Sequence, residues 1–206
     1  MSTSTPTLAE HTLDALLSSL AAKQPVPGGG AVAGVTTALS ASLGGMVVAY
    51  SLGKPALADS ETMLQSASTE LERLRARSLE QAEADAVAYG RLNALWGLEK
   101  DDPARVAGWT EAVVGAIKAP GAIMETADRI LEILEDLPGR SARHLASDLA
   151  IAVELAATGA RAAERNVAVN LPLLPEGELR DEHDARYGEL GVRVDGRART
   201  ILEELA

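Results

Sequence analysis

PVPGGG at residues 25–30 runs into AVAGVTTALSASLGGMVVAYSL at residues 31–52, then into Gly53 and Lys54. No charged residue lies between Lys23 and Lys54. Pro25 and Pro27 fix φ and disfavour the α region for the residue before each, so the entry is extended. Gly28, Gly29 and Gly30 follow, where a backbone can turn or approach another group closely. The apolar run behind them is too long for a strand, and Gly53 is suited to ending a helix. The pattern predicts a helix over residues 31–52 that is apolar all round and therefore buried on all sides.

Gly34, Ala38, Ala41, Gly44, Gly45 and Ala49 thin that helix and let neighbouring backbones come close. Its length and small-residue spacing would also suit a membrane span. Thr36, Thr37, Ser40, Ser42 and the internal glycines, without an aromatic belt at both ends or a second span, favour a core helix instead. A chain of 206 residues is long enough for one domain, residues 1–206, with a real core. Phe is absent and aromatic residues make up 2% of the chain, a supply that argues for an all-α protein. Without cysteine there is no disulfide framework, thiol nucleophile or thiolate metal site, and His11, His144 and His183 are too scattered for zinc. A net charge of −11 opposes nucleic-acid binding, which needs a basic footprint. Residues 1–7 lack a basic and apolar leader pattern, so the expected setting is cytoplasmic.

Around the central helix the chain reads as a bundle of six or seven helices. Thr7-Leu8-Ala9-Glu10 fits a capping box ahead of Leu13, Leu16, Leu17 and Leu20. Pro55 opens a long third helix running to about Gly97, with the stripe Leu57, Leu64, Leu71, Leu74, Ser78, Ala82, Asp85, Tyr89, Leu92, Trp96. Asp102-Pro103 opens a fourth, with Val106, Val113, Val114 and Ile117 inward. Ala119-Pro120-Gly121 is expected to break or kink it, before Ile123, Ala127, Ile130, Leu134 and Leu137 continue inward. Ser141 can cap a helix towards Asn170, and a last helix carries Leu179, His183, Tyr187, Leu190, Val194, Ile201 and Leu205.

Two carboxylates fall on core-facing stripes. Asp85 lies seven residues after Ser78, four before Tyr89 and seven before Leu92, so it shares their face. It is either a structural carboxylate that bonds a helix end or an Arg, or an acid with a function. Asp148 shares a face with His144, Ile151, Ala152 and Leu155; it is either half of a surface i, i+4 pair or an acid tuned by His144. Asn166 and Asn170 sit four apart at the far end of the same helix. On a straight helix Asp148 and Asn166 are roughly 27 Å apart, so they line different ends of a cleft or meet across a subunit interface, unless the helix breaks near Gly159. The triple glycine could aim free amides at an anion or polar ring, although it is neither a Walker motif nor a dinucleotide fingerprint.

Pro27-Gly28-Gly29-Gly30-Ala31-Val32-Ala33 with Ser51-Leu52-Gly53-Lys54 resembles the opening of the formiminotransferase-cyclodeaminase C-terminal family. The resemblance continues through Asp85-Ala86-Val87-Ala88-Tyr89, Ala119-Pro120, Ser147-Asp148 and Asn166-Val167-Ala168-Val169-Asn170-Leu171. It implies an all-α homodimer holding a folate between helices near the subunit interface, without metal or redox cofactor and without membrane or nucleic-acid partners. The implied reaction is that of a formimidoyltetrahydrofolate cyclodeaminase, giving 5,10-methenyltetrahydrofolate and ammonia. The alternatives are a 5,10-methenyltetrahydrofolate cyclohydrolase and a non-catalytic folate-binding or scaffold bundle. Asp148 matches the family's Ser-Asp acid and is the first choice for acid/base work, with Asp85 as the second acid. Gly28, Gly29, Gly30 and Lys54 would hold the pterin or its acidic tail, with His144, Asn166 and Asn170 as further contacts. The sequence departs from the family at Ser141 and Ala142, where Gly-Asn is usual, and at Ala31, where Ser is common.

Overall fold

A computed structural model describes residues 7–206; Met1 to Pro6, part of the stretch read above for a leader, lie outside it. Six α-helices follow in order: α1 (Leu13–Ala21), α2 (Gly29–Ala49), α3 (Glu61–Trp96), α4 (Pro103–Leu134), α5 (Ala146–Asn170) and α6 (Glu178–Leu205). Four short 3-10 turns join or precede them, and no strand occurs among the described residues. α2 packs chiefly against α3 and α5 and also touches α4, so the glycine-rich helix is central as its sequence implies.

Small residues on α2 set these contacts. A Cβ at Gly44 would come 2.7 Å from Leu134 Cδ2 on α4, and one at Gly34 would come 2.6 Å from the Ala82 Cβ on α3. Ser40 Oγ donates to the Ala152 carbonyl on α5 at 2.6 Å, and the Ala142 N–H donates to Ser51 Oγ at 2.9 Å. With Gly29 beside Asn166, these contacts make α2 and α5 antiparallel along their whole length. Gly44→Leu is expected to overpack this contact and lower stability by about 1–3 kcal/mol or more. An unchanged denaturation midpoint would deny the close packing.

Several expectations are corrected. The Thr7–Glu10 capping box exists, but it caps a 3-10 turn; Thr12 caps α1, accepting from the Ala15 N–H. Leu16 alone of the α1 leucines is buried, while Leu13 and Leu17 face solvent. Pro55 starts a 3-10 turn rather than α3, and Ser141 caps nothing, its hydroxyl donating instead to the Leu137 carbonyl. Val106 is 66% exposed because the first turn of α4 overhangs the bundle, and Leu179 is exposed at the matching end of α6. Trp96 is also partly exposed, in the last turn of α3, and Tyr89 is partly exposed because it borders a cleft. Pro120 does not break α4, which runs continuously past it.

The largest correction concerns α2 itself. Its ends are Gly29 and Ala49, and it is not buried on all sides. Val32 is 43% exposed, Leu39 53% and Tyr50 58%, with Val35, Leu43 and Met46 partly exposed between them. At helical spacing these fall on one uncharged stripe along the helix. α2 is long and apolar enough by composition to cross a membrane, yet its other faces are packed against three helices of the bundle.

Candidate active site

A cleft of about 260 Å³ opens where the N-terminus of α2 meets α3, α4 and the end of α5. Its walls include Gly28, Gly29, Gly30, Asp85, Tyr89, Ala116, Asn166 and Asn170. This is slightly below the roughly 300–1,000 Å³ usual for drug-sized ligands, so it suits a ring-sized head group with the remainder outside. Pro25 and Val26 form its rim, as the extended entry from the two prolines leads the chain across it.

The glycines are present for space. The Asp85 carboxylate lies directly against the Gly30 Cα, and any Cβ there would overlap it. At Gly29 the Asn166 amide fills the equivalent position, with Oδ1 3.4 Å from where a Cβ would stand. Gly28 caps α2 without a side-chain hydrogen bond, so the first amides of the helix open towards the cleft.

Burial pushes the Asp85 carboxyl up from 3.8 to about 6. Desolvation disfavours the charged form, and neither Lys nor Arg lines the cleft to oppose that. A carboxyl titrating there can both take and return a proton near neutral pH. Gly30→Ala is expected to displace the carboxylate and return its titration towards the ordinary carboxylate range. Carbon NMR of the Asp85 carboxyl would read this; a titration still at about 6 would show that Gly30 does not set the position.

The structure thus brings together six of the residues singled out in the sequence: Gly28, Gly29, Gly30, Asp85, Asn166 and Asn170. Lys54, His144 and Asp148 are elsewhere. α5 is unbroken at Gly159, whose missing side chain admits Thr37 of α2, so Asp148 and Asn166 stay at opposite ends. His144 is exposed, its ring edge-on to Tyr50 with centroids 6.5 Å apart, and Asp148 is half-buried in the first turn of α5. Lys54 lies just past α2, on the same end of the bundle. Tyr89, a cleft wall, entered the sequence reading as a stripe residue and as part of the block carrying the resemblance, not as a site residue. Its place four after Asp85 was the signal that could have found it. Among the described residues no three His, Asp or Glu side chains gather as a metal site.

The sequence model of the formiminotransferase-cyclodeaminase family matches residues 12–189. A methenyltetrahydrofolate cyclohydrolase of Methylorubrum extorquens is 29% identical over 176 residues, covering 84% of this chain and 85% of its own. The formimidoyltransferase-cyclodeaminase of Rattus norvegicus is 24% identical over 202 residues, 96% of this chain; the chain spans only 37% of that protein's length. The crystal structure of a formiminotetrahydrofolate cyclodeaminase from Thermotoga maritima matches with a TM-score of 0.88 at 22% identity, over 96% of both chains. At that identity the likeness speaks for the fold.

Proposed function

The chain belongs to the formiminotransferase-cyclodeaminase family, and we propose that it is a folate one-carbon enzyme acting at the N5–C–N10 edge of tetrahydrofolate. The observation that carries the reading is Asp85, a carboxyl held at about 6 between the α2 glycines and the two asparagines. In the cyclodeaminase reaction N10 attacks the N5-formimino carbon, forming the second C–N bond of the bridge. With the formimino group entering protonated as =NH2+, Asp85 takes the N10 proton and returns it to that nitrogen, so that the C–N bond breaks with ammonia leaving and the bridge keeps the positive charge. The α2 amides and Asn166 hold the head group while the charge at carbon changes.

A second reading, the cyclohydrolase, is favoured by the Methylorubrum relative, which this chain matches along 85% of that protein's length. There Asp85 takes a proton from the water that attacks the methenyl carbon. It then gives that proton to N5 as the N5–C bond breaks, while the new hydroxyl releases its own proton to water, leaving the 10-formyl compound. Offering the 5-formimino and the 5,10-methenyl folates separately, and following the methenyl chromophore, tests both. Its appearance from the first marks a cyclodeaminase, and its loss from the second a cyclohydrolase. Neither change would return the protein to a binding or scaffold role.

The working unit in this proposal is a cytoplasmic homodimer. It is supported by the exposed uncharged stripe of α2, and by a lining without Lys or Arg in a cleft meant for an acidic substrate. A two-fold axis crossing α2 near Leu39 would lay the glycine end of one helix beside the Tyr50 end of the other. The partner's Lys54, His144 and Asp148 would then face the Asp85 cleft, with Lys54 for the folate tail and Asp148 as the second acid. No metal or redox cofactor enters this scheme.

A further inference from the structure

We infer that Pro120 is a positioning residue: the carbonyl it orphans holds the Asn170 side chain so that only its oxygen faces the cleft. Proline has no N–H, so the carbonyl four residues earlier, Ala116, loses its donor within α4. That carbonyl lies in the cleft wall on a residue only 3% exposed, where an unmade hydrogen bond is unfavourable. Asn170 Nδ2 supplies the bond at 2.9 Å and spends its other hydrogen on the Asn166 carbonyl, also at 2.9 Å. Both amide hydrogens are thereby used, and Asn170 Oδ1 is left as a pure acceptor. It reads an N–H donor on the bound head group. The ligand's identity rests on the folate reading; the arrangement of Pro120, Ala116 and Asn170 does not. Pinning also fixes the last turn of α5 against α4, and with it the neighbouring Asn166.

Pro120→Ala restores an N–H at residue 120, which competes for the Ala116 carbonyl along the axis of α4. Nitrogen-15 NMR of the ligand-free protein, with exposed Asn93 as internal reference, reads the consequence directly. The Asn170 side-chain proton on the Ala116 carbonyl should exchange about tenfold more slowly than those of Asn93 in the wild type, and at nearly the Asn93 rate in Pro120→Ala, while the proton on the Asn166 carbonyl stays protected in both. In turnover, Pro120→Ala should raise KM about three- to tenfold with a smaller change in kcat, and add nothing further in an Asn170→Ala background. An Asn170 proton on the Ala116 side that stays protected in Pro120→Ala, or a KM effect equal in both backgrounds, would overturn the assignment. If the wild type neither binds nor turns over a tetrahydrofolate, the folate reading falls, and the exchange comparison alone decides the role of Pro120. Helicity and melting temperature of each variant show that it is folded; alanine within a helix replaces proline without strain.

Discussion

Asp85→Asn loses turnover by a factor of about 10² or more in kcat, and melts higher than the wild type at pH 8. The two effects have one cause. Asn keeps the shape against Gly30 but cannot carry a proton from one nitrogen to another. It also removes a carboxylate that burial makes unfavourable. Because the folded-state value, about 6, lies above the ordinary 3.8, the native state binds the proton more tightly than the unfolded chain. Asp85 therefore favours folding below about pH 4, and this contribution is lost as the pH rises through about 6. The variant's advantage should be absent at pH 4 and full by pH 7, a few degrees in melting temperature. The wild-type kcat should rise with pH through the same window, since the reaction begins with the carboxylate as base. Near-normal turnover by Asp85→Asn, or a stability gain that ignores pH, would remove Asp85 from the chemistry.

Asp148→Asn is expected to be as inactive as Asp85→Asn alone, yet a mixture of the two should recover activity once subunits exchange. In a composite site each dead parent lacks one acid in both of its sites. A hybrid dimer collects both lesions in one site and leaves the other intact. Random exchange of equal amounts makes half the dimers hybrid, so the recovered rate is about a quarter of the wild type. Leu39→Glu, which puts a charge in the middle of the exposed α2 stripe, should abolish both dimer and recovery, as sedimentation and assay would show. No recovery after demonstrated exchange would leave a site built within one subunit, with Asp148 outside it.

The helices were legible because their residues carry the 3.6-residue pattern. Leu64, Leu71 and Leu74 of α3, and Ile123, Ala127 and Ile130 of α4, are as buried as their spacing requires. The exceptions cluster where a helix outruns its neighbours, as Val106 and Trp96 do, since periodicity says which way a residue faces but not whether anything is there. Pro120 teaches the same lesson in polar form. Its missing N–H is a local fact that points to a break. The helix runs on past it, and Asn170, 54 residues away from Ala116, provides the bond that proline cannot.

The sequence by itself determined an all-α chain with an uncharged central helix, the glycine entrance to that helix, and two acids on half-apolar faces. Spacing did not rank the acids, because Asp85 and Asp148 have the same local signature of a carboxylate at helical spacing from apolar residues, and it was the family resemblance that put Asp148 first. Only the tertiary structure decided that Asp85 stands in the cleft. α2 runs antiparallel to both α3 and α5, which carries Asp85, Asn166 and Asn170 to the glycine end and Asp148 to the other. The shift in Asp85 is likewise a property of packing. It comes from the water that three converging helices remove, and no residue adjacent to Asp85 in the chain encodes it.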